Sequence, residues 1–253
     1  MIITLSPAKV IDFKTPISIK EATMPIFEKQ ANELIGILNR MPIEEMASLM
    51  EINPKQTIEV YQQIQSFNLD KAPKKQAAFT YNGIAYQGLN MASFTSKDIE
   101  YAQSHLIILS GLYGALRPLD MIKPYRLEMQ ANLATEDKES LYTFWKDMLT
   151  GYLTERLSKD DNQWLNLMSK EYTKVIDIKR LPKNINIVSP VFKQETATGY
   201  KQIVVYTKKA RGMMARFAIK NRITALEELK AFDEEGYTFA SHLSKKGEWV
   251  FIR

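Results

Sequence analysis

Three short stretches of this 253-residue sequence hold most of the residues able to do chemistry. Ser6-Pro7-Ala8-Lys9 follows an apolar run, with Lys14 close behind. Leu106–Met129 sets Arg117, Asp120, Arg126 and Glu128 among two glycines and two prolines. The third, Lys208 to Arg222, carries Lys208, Lys209, Arg211, Arg216, Lys220 and Arg222 with no acid before Glu227. Arginine presents planar donors that fit a phosphate, and lysine adds point charge. This inventory is that of an anion site, with Ser6, Lys9, Lys14, Arg117, Arg126, Lys208, Lys209, Arg211, Arg216 and Lys220 as the candidate contacts. Asp120 and Glu128 read either as partners that hold the arginines or as proton-transfer groups, and Tyr172 is a third catalytic candidate. Tyr86, Tyr113, Tyr125 and Tyr172 are able to stack on unpaired bases, or to serve as core residues with satisfied hydroxyls.

Composition narrows the classes. The chain is 45% hydrophobic and 25% charged, enough to bury a large core, and its net charge is +5. That charge suits a nucleic acid or an anionic metabolite. Without cysteine there are no disulfides, thiolate metal sites or cysteine nucleophiles, and two histidines make a histidine-rich metal site unexpected. No metal and no cofactor are expected. The opening MIITLSPAKV reads as a first strand rather than a signal peptide, and no apolar stretch reaches the roughly twenty residues of a membrane span. A cytoplasmic monomer is expected. Dinucleotide-binding, phosphate-loop and nucleophile-elbow motifs are absent.

The elements that must position these residues follow from periodicity. Ile2–Leu5 and Leu106–Leu109 read as buried strands that deliver polar groups at their ends. Residues 21–50 read as helical, with a break at Met41-Pro42 that makes two helices in a hairpin. Ser96 starts a short helix ending at His105, and residues 138–157 form a longer one with an aromatic stripe. Residues 163–169 and 175–178 read as strands. Residues 185–192 and 200–207 read as a hairpin around Gly199. At about 100° per residue, Ala210, Met213, Met214 and Phe217 share one face of a helix and the cations take the other. A single-sign face of this kind predicts an anion-binding surface. Residues 236–239 and 249–252 close the chain as two strands. Strands and helices mix without a regular βαβ rhythm. The expectation is therefore α+β: a single irregular mixed α/β domain over residues 1–253, with a central β-sheet flanked by helices.

Taken together, Ser6-Pro7-Ala8-Lys9, Leu109–Gly114, Arg117–Asp120, Pro124–Met129 and Lys208–Phe217 resemble the YaaA family of bacterial peroxide-stress proteins. Tyr86-x-Gly88-Leu89, Phe144-Trp145 and Gly236-Tyr237 belong to the same pattern, which Met168 leaves at one position where alanine is usual. The resemblance implies a cytoplasmic protein that helps cells survive hydrogen peroxide, limits damage linked to free iron, and binds DNA in a basic cleft. It also implies a helix-hairpin-helix element, placed at about residues 22–53. The leading expectation is thus a DNA-binding protein of the oxidative stress response, holding distorted or partly single-stranded DNA. The alternative is an enzyme acting on a nucleotide, nucleobase or nucleic acid in the same cleft.

Overall fold

The first four buried residues, Ile2–Leu5 (β1), set the frame of the computed structural model, which describes residues 1–253. Helices Glu28–Arg40 (α1), Ile43–Met50 (α2) and Pro54–Ser66 (α3) follow. Then come Lys75–Gln76 (β2), Ala77–Thr80 (α4), Ile84–Leu89 (α5), Ser96–His105 (α6) and Leu106–Ser110 (β3). Gly114–Leu116 (β4), Met121–Ile122 (β5), Leu141–Lys159 (α7), Gln163–Leu167 (β6) and Lys170–Thr173 (α8) make the middle of the chain. Asn186–Thr196 (β7), Gly199–Lys201 (β8), Val204–Lys220 (α9), Thr238–Phe239 (β9) and Glu248–Ile252 (β10) complete it.

The main sheet runs β4-β3-β1-β6-β7-β10-β9, with β8 paired to β7, and a small second sheet joins β2 to β5. Its five central strands are parallel, while β4, β8 and β9 are antiparallel. The result is a mixed sheet with helices around it, a single α+β domain built on one continuous core of 66 buried residues. All of β1 and β3 is buried, as expected of parallel strands covered on both faces. From β1 the chain goes to β3 on one side, and it later comes back to β6 on the other. The carboxyl ends of β1 and β6 therefore flank the point where strand order reverses, the usual place for a ligand crevice in open parallel sheets. No helix is long and apolar enough to cross a membrane.

Local expectations hold with instructive exceptions. The first helix begins at Glu28 rather than at residue 21. Thr23 is tied instead into an extended bridge, its N–H bonded to Leu119 O at 2.9 Å, and Pro25 disfavours helix at the residue before it. The short helix α6 is capped by Thr95, one residue before Ser96, through a reciprocal bond with Asp98. Val175–Ile178 is not a strand: the amides of Val175 and Ile176 bond back to Tyr172 and Thr173, continuing the turn of α8. The hairpin at Gly199 exists, with φ +110° there, but its second strand ends at Lys201 and Val204 already belongs to α9. A β-branched run has thus been overridden by tertiary context.

Helix α9 lies against α5 at two glycines. A Cβ on Gly212 would meet Ala85 O at 1.7 Å, and one on Gly88 would meet Lys209 O at 2.2 Å. No other residue type permits this backbone approach. It holds the first turns of α9 beside the Gly83–Ala85 segment, and so fixes where Lys208 and Arg211 point.

Candidate anion site at the strand switch point

The carboxyl ends of β1 and β6 open into a cavity of about 360 Å³. Ser6, immediately after β1, accepts the Ser169 N–H at 2.9 Å and contacts the Ser169 hydroxyl at 3.4 Å, so the two strand ends are stitched together. Tyr86 donates to Ser6 O at 3.0 Å from below. One wall comes from Tyr125–Glu128, the other from Lys208 and Arg211 of α9, and Glu171 and Tyr172 of α8 complete it. Only the end of the Leu106–Met129 stretch, Tyr125–Glu128, and two residues of the cationic helix, Lys208 and Arg211, line this cavity.

Charge here is unevenly matched. Lys9 Nζ lies 2.7 Å from Glu128 Oε2, and Arg126 Nη2 donates to Glu128 Oε1 at 3.2 Å. Glu128 thus holds two cations. Lys208 and Arg211 are in no ion pair, and Arg211 has neither a hydrogen bond nor an acid beside it. Its Nε is buried without an acceptor, as is that of Arg126. Burial pulls the Arg211 guanidinium below its ordinary value, the sign of a cation whose solvent has been removed without replacement by an acid. A buried donor without a partner costs about 1–3 kcal/mol. An anion at this wall would offset that cost. Glu171 moves the other way: burial, with Glu128 adding repulsion, raises its carboxyl above the usual range.

Beyond Arg211 the cavity gives way to a wider groove of about 970 Å³, which Arg211 also lines. Lys146, Lys170, Lys174, Lys179 and Lys193 edge it against Asp177 and Glu248. Asn166 on its floor is buried and fully used, donating to Thr173 and Ser189 at 3.2 and 3.1 Å.

The sequence-predicted residues separate into two groups. Ser6, Lys9, Arg126, Lys208, Arg211, Glu128 and Tyr172 line the cavity. Lys14, Arg117, Asp120, Lys209, Arg216 and Lys220 line neither space. Asp120 is wholly buried. It accepts the Arg117 N–H at 2.7 Å, the Arg117 Nη2 at 2.9 Å and the Thr23 hydroxyl at 2.6 Å, which makes it a holder of a loop. Lys14 is exposed on the turn that Asp12 caps. The cationic face of α9 is largely neutralised. Lys209 pairs with Glu235, Arg216 with Glu234, and Arg222 with Asp98 at 2.8 Å, while Lys220 caps Ser93 O at 2.8 Å. The prediction of one continuous anion-binding face is corrected accordingly: acids from distant loops fold onto it.

The tyrosines divide likewise. Tyr86 and Tyr113 are buried outside the cavity wall. Tyr125 lines it, but its hydroxyl lies in a chain with Tyr81 at 2.6 Å and Ser110 at 2.7 Å, and burial pushes it up to about 12. These rings pack the floor and do not offer open faces for stacking. Sequence reading missed Glu171 and Ser169 as site residues, although both follow β6 as Ser6 and Lys9 follow β1; that shared position at a strand end was the available signal. It also missed the groove lysines, which no local pattern unites. The helix pair α1–α2, with its break at Met41-Pro42, stands apart from both spaces, and its exposed acids Glu44, Glu45 and Glu51 make a poor surface for phosphate.

A family model described as peroxide stress protein YaaA matches residues 1–243. The chain belongs to the YaaA family. Full-length relatives agree: proteins described as "UPF0246 protein" from Ralstonia pickettii and Saccharophagus degradans are 44% and 42% identical over 256 residues, covering 100% of this chain and 99% of each of them. One from Francisella tularensis is 42% identical over 257 residues and is covered completely. YaaA membership supports a role in peroxide stress. The motifs that carried the resemblance now have physical reasons: Gly88 and Gly212 form the α5–α9 crossing, and Ser6, Lys9, Arg126 and Arg211 form the cavity wall.

Proposed function

We propose that this YaaA-family protein holds partly unpaired DNA in the cytoplasm during peroxide stress, with one unstacked nucleotide in the cavity and its strand along the lysine groove. The observation that carries the reading is Arg211, a largely buried cation that lines both spaces and has no acid or acceptor in the protein. A volume of about 360 Å³ suits a single nucleotide and lies within the roughly 300–1,000 Å³ of small-ligand sites. The adjoining cations suit a phosphate backbone, as in proteins that track single strands through charged grooves. The Lys209–Arg216 flank, already paired with acids, contributes little to this surface.

Fluorescence anisotropy with duplex and bubble-containing DNA at several salt concentrations tests the proposal. The parent binds the bubble more tightly, with affinity falling steeply as salt rises. Arg126→Gln combined with Arg211→Gln removes the preference for the bubble. Lys170→Gln, Lys174→Gln and Lys179→Gln together flatten the salt slope. Equal binding of the double variant and the parent to the bubble would place the DNA elsewhere.

A further inference from the structure

The cavity contains two carboxylates in contrasting surroundings. Glu128 is locked between Lys9 and Arg126. Glu171, on the adjacent element, is in no ion pair and meets only backbone donors, accepting the Gln130 N–H at 3.4 Å beside that of Met129. Gln130 also reaches Glu128 Oε2 at 3.5 Å through its side chain, so one residue touches both acids and keeps them side by side at the cavity wall. Glu128 holds two of the four cations in place. Glu171 is in no ion pair and opposes a bound phosphate, so its presence calls for a chemical reason.

We propose that the cavity hydrolyses the N-glycosidic bond of the nucleotide it holds, with Glu171 as the proton donor to the departing base and Glu128 as the carboxylate facing the sugar. This extends the nucleotide-binding reading above and depends on it. Two carboxylates divided into an acid and an ionised partner form the minimum set for glycoside cleavage through a cationic sugar, and environments that push two acids apart assign their roles. Burial and the neighbouring Glu128 charge favour the protonated form of Glu171, as a donor requires. In the step, the C1′–N bond breaks with its electron pair going to the base nitrogen, which takes the Glu171 proton. A water oxygen bonds to C1′ and gives its proton to Glu128; Glu128 then releases that proton to solvent as solvent returns one to Glu171. The net reaction adds one water and yields a free base and a sugar phosphate. Lys208, Arg211 and Arg126 hold the phosphate, so the substrate is a phosphate-bearing nucleotide, either free or extruded from a strand.

The test incubates the full chain with bubble DNA and, separately, with the four free deoxynucleoside monophosphates, and measures released base by chromatography alongside binding in the same samples. Base release by the parent, lowered on the order of 10²–10⁴-fold in Glu171→Gln with binding retained, supports the proposal. Glu128→Gln, judged against its thermal midpoint, is expected to lose release as well. Which of the two substrates loses its base identifies the source. Binding by the parent without release of base from either substrate overturns the chemistry and leaves the binding reading standing. Release by Glu171→Gln at the parent rate also overturns it. Neither binding nor release overturns both readings together.

Discussion

Helix α9 carries five cations between Lys208 and Lys220, yet its two flanks meet different fates. On one side Lys209 and Arg216 run into Glu235 and Glu234, supplied by the turn at Glu234–Gly236, and just past the helix Arg222 meets Asp98 of α6. On the other, Lys208 and Arg211 face a cavity and find no acid. Arg211 and Arg216 are five residues apart and chemically identical. What separates them is which loop packs opposite. A cation count on a helix therefore says little about binding; the informative cation is the one that folding leaves uncompensated in a partly buried place.

The comparison can be broken most completely at its hinge. Gly212→Val places a side chain where Ala85 O and Leu89 N already stand, so α9 must move away from α5 and both flanks with it. Overpacking of this kind costs about 1–3 kcal/mol or more, read as a lower urea midpoint. Gly151→Ala, where a Cβ meets nothing within 4 Å, is the control and leaves the midpoint in place or raises it. Next in size is the contrast between the flanks themselves. Arg211→Gln weakens binding of bubble DNA about tenfold to a hundredfold, the equivalent of roughly 1.5–3 kcal/mol for charged hydrogen bonds. Arg216→Gln changes binding less than about twofold while lowering stability by about 1 kcal/mol or less, as expected for a partly exposed pair. If Arg216→Gln proved the more damaging to binding, the division of α9 would fail.

A smaller effect concerns the acids. The Glu171 carboxyl is raised in the folded protein, so the folded state keeps its proton to higher pH than the unfolded state does. Its contribution to stability is present at acid pH and is lost as pH rises through the interval just above the unfolded value of 4.5. Glu171→Gln is expected to flatten that part of the curve of thermal midpoint against pH. The same ionisation adds negative charge to the cavity, so DNA binding by the parent tightens as pH falls through the interval. The variant shows no such change. Least affected is the paired flank: Lys209→Gln shifts stability by less than about 1 kcal/mol and leaves the salt dependence of binding unaltered.

Much of this was legible in advance at short range. Ile2–Leu5 and Leu106–Leu109 are continuous apolar runs, and each ends in residues that cannot extend a strand, so both strands and the polar groups at their ends could be read directly. Arg117 and Asp120, three residues apart, were legible as a structural pair, and the structure bonds them. The N-terminal limit of α9 was not legible, because Ile203-Val204-Val205 favours strand locally, yet only Ile203 is extended and Val204 and Val205 form the first turn of the helix. The groove lysines were illegible for a similar reason: Lys146, Lys174 and Lys193 lie on three separate elements.

The sequence by itself determined the strand ends, the helix faces, the glycines and the excess of positive charge, because these depend on side-chain periodicity and on backbone freedom within a few residues. Only the tertiary structure decided which charges survive as a site. Arg216 finds its acid 18 residues away, Lys209 finds one 26 away, and Arg222 one 124 away. Electrostatic compensation acts through space at a few ångströms, and no spacing along the chain reports it.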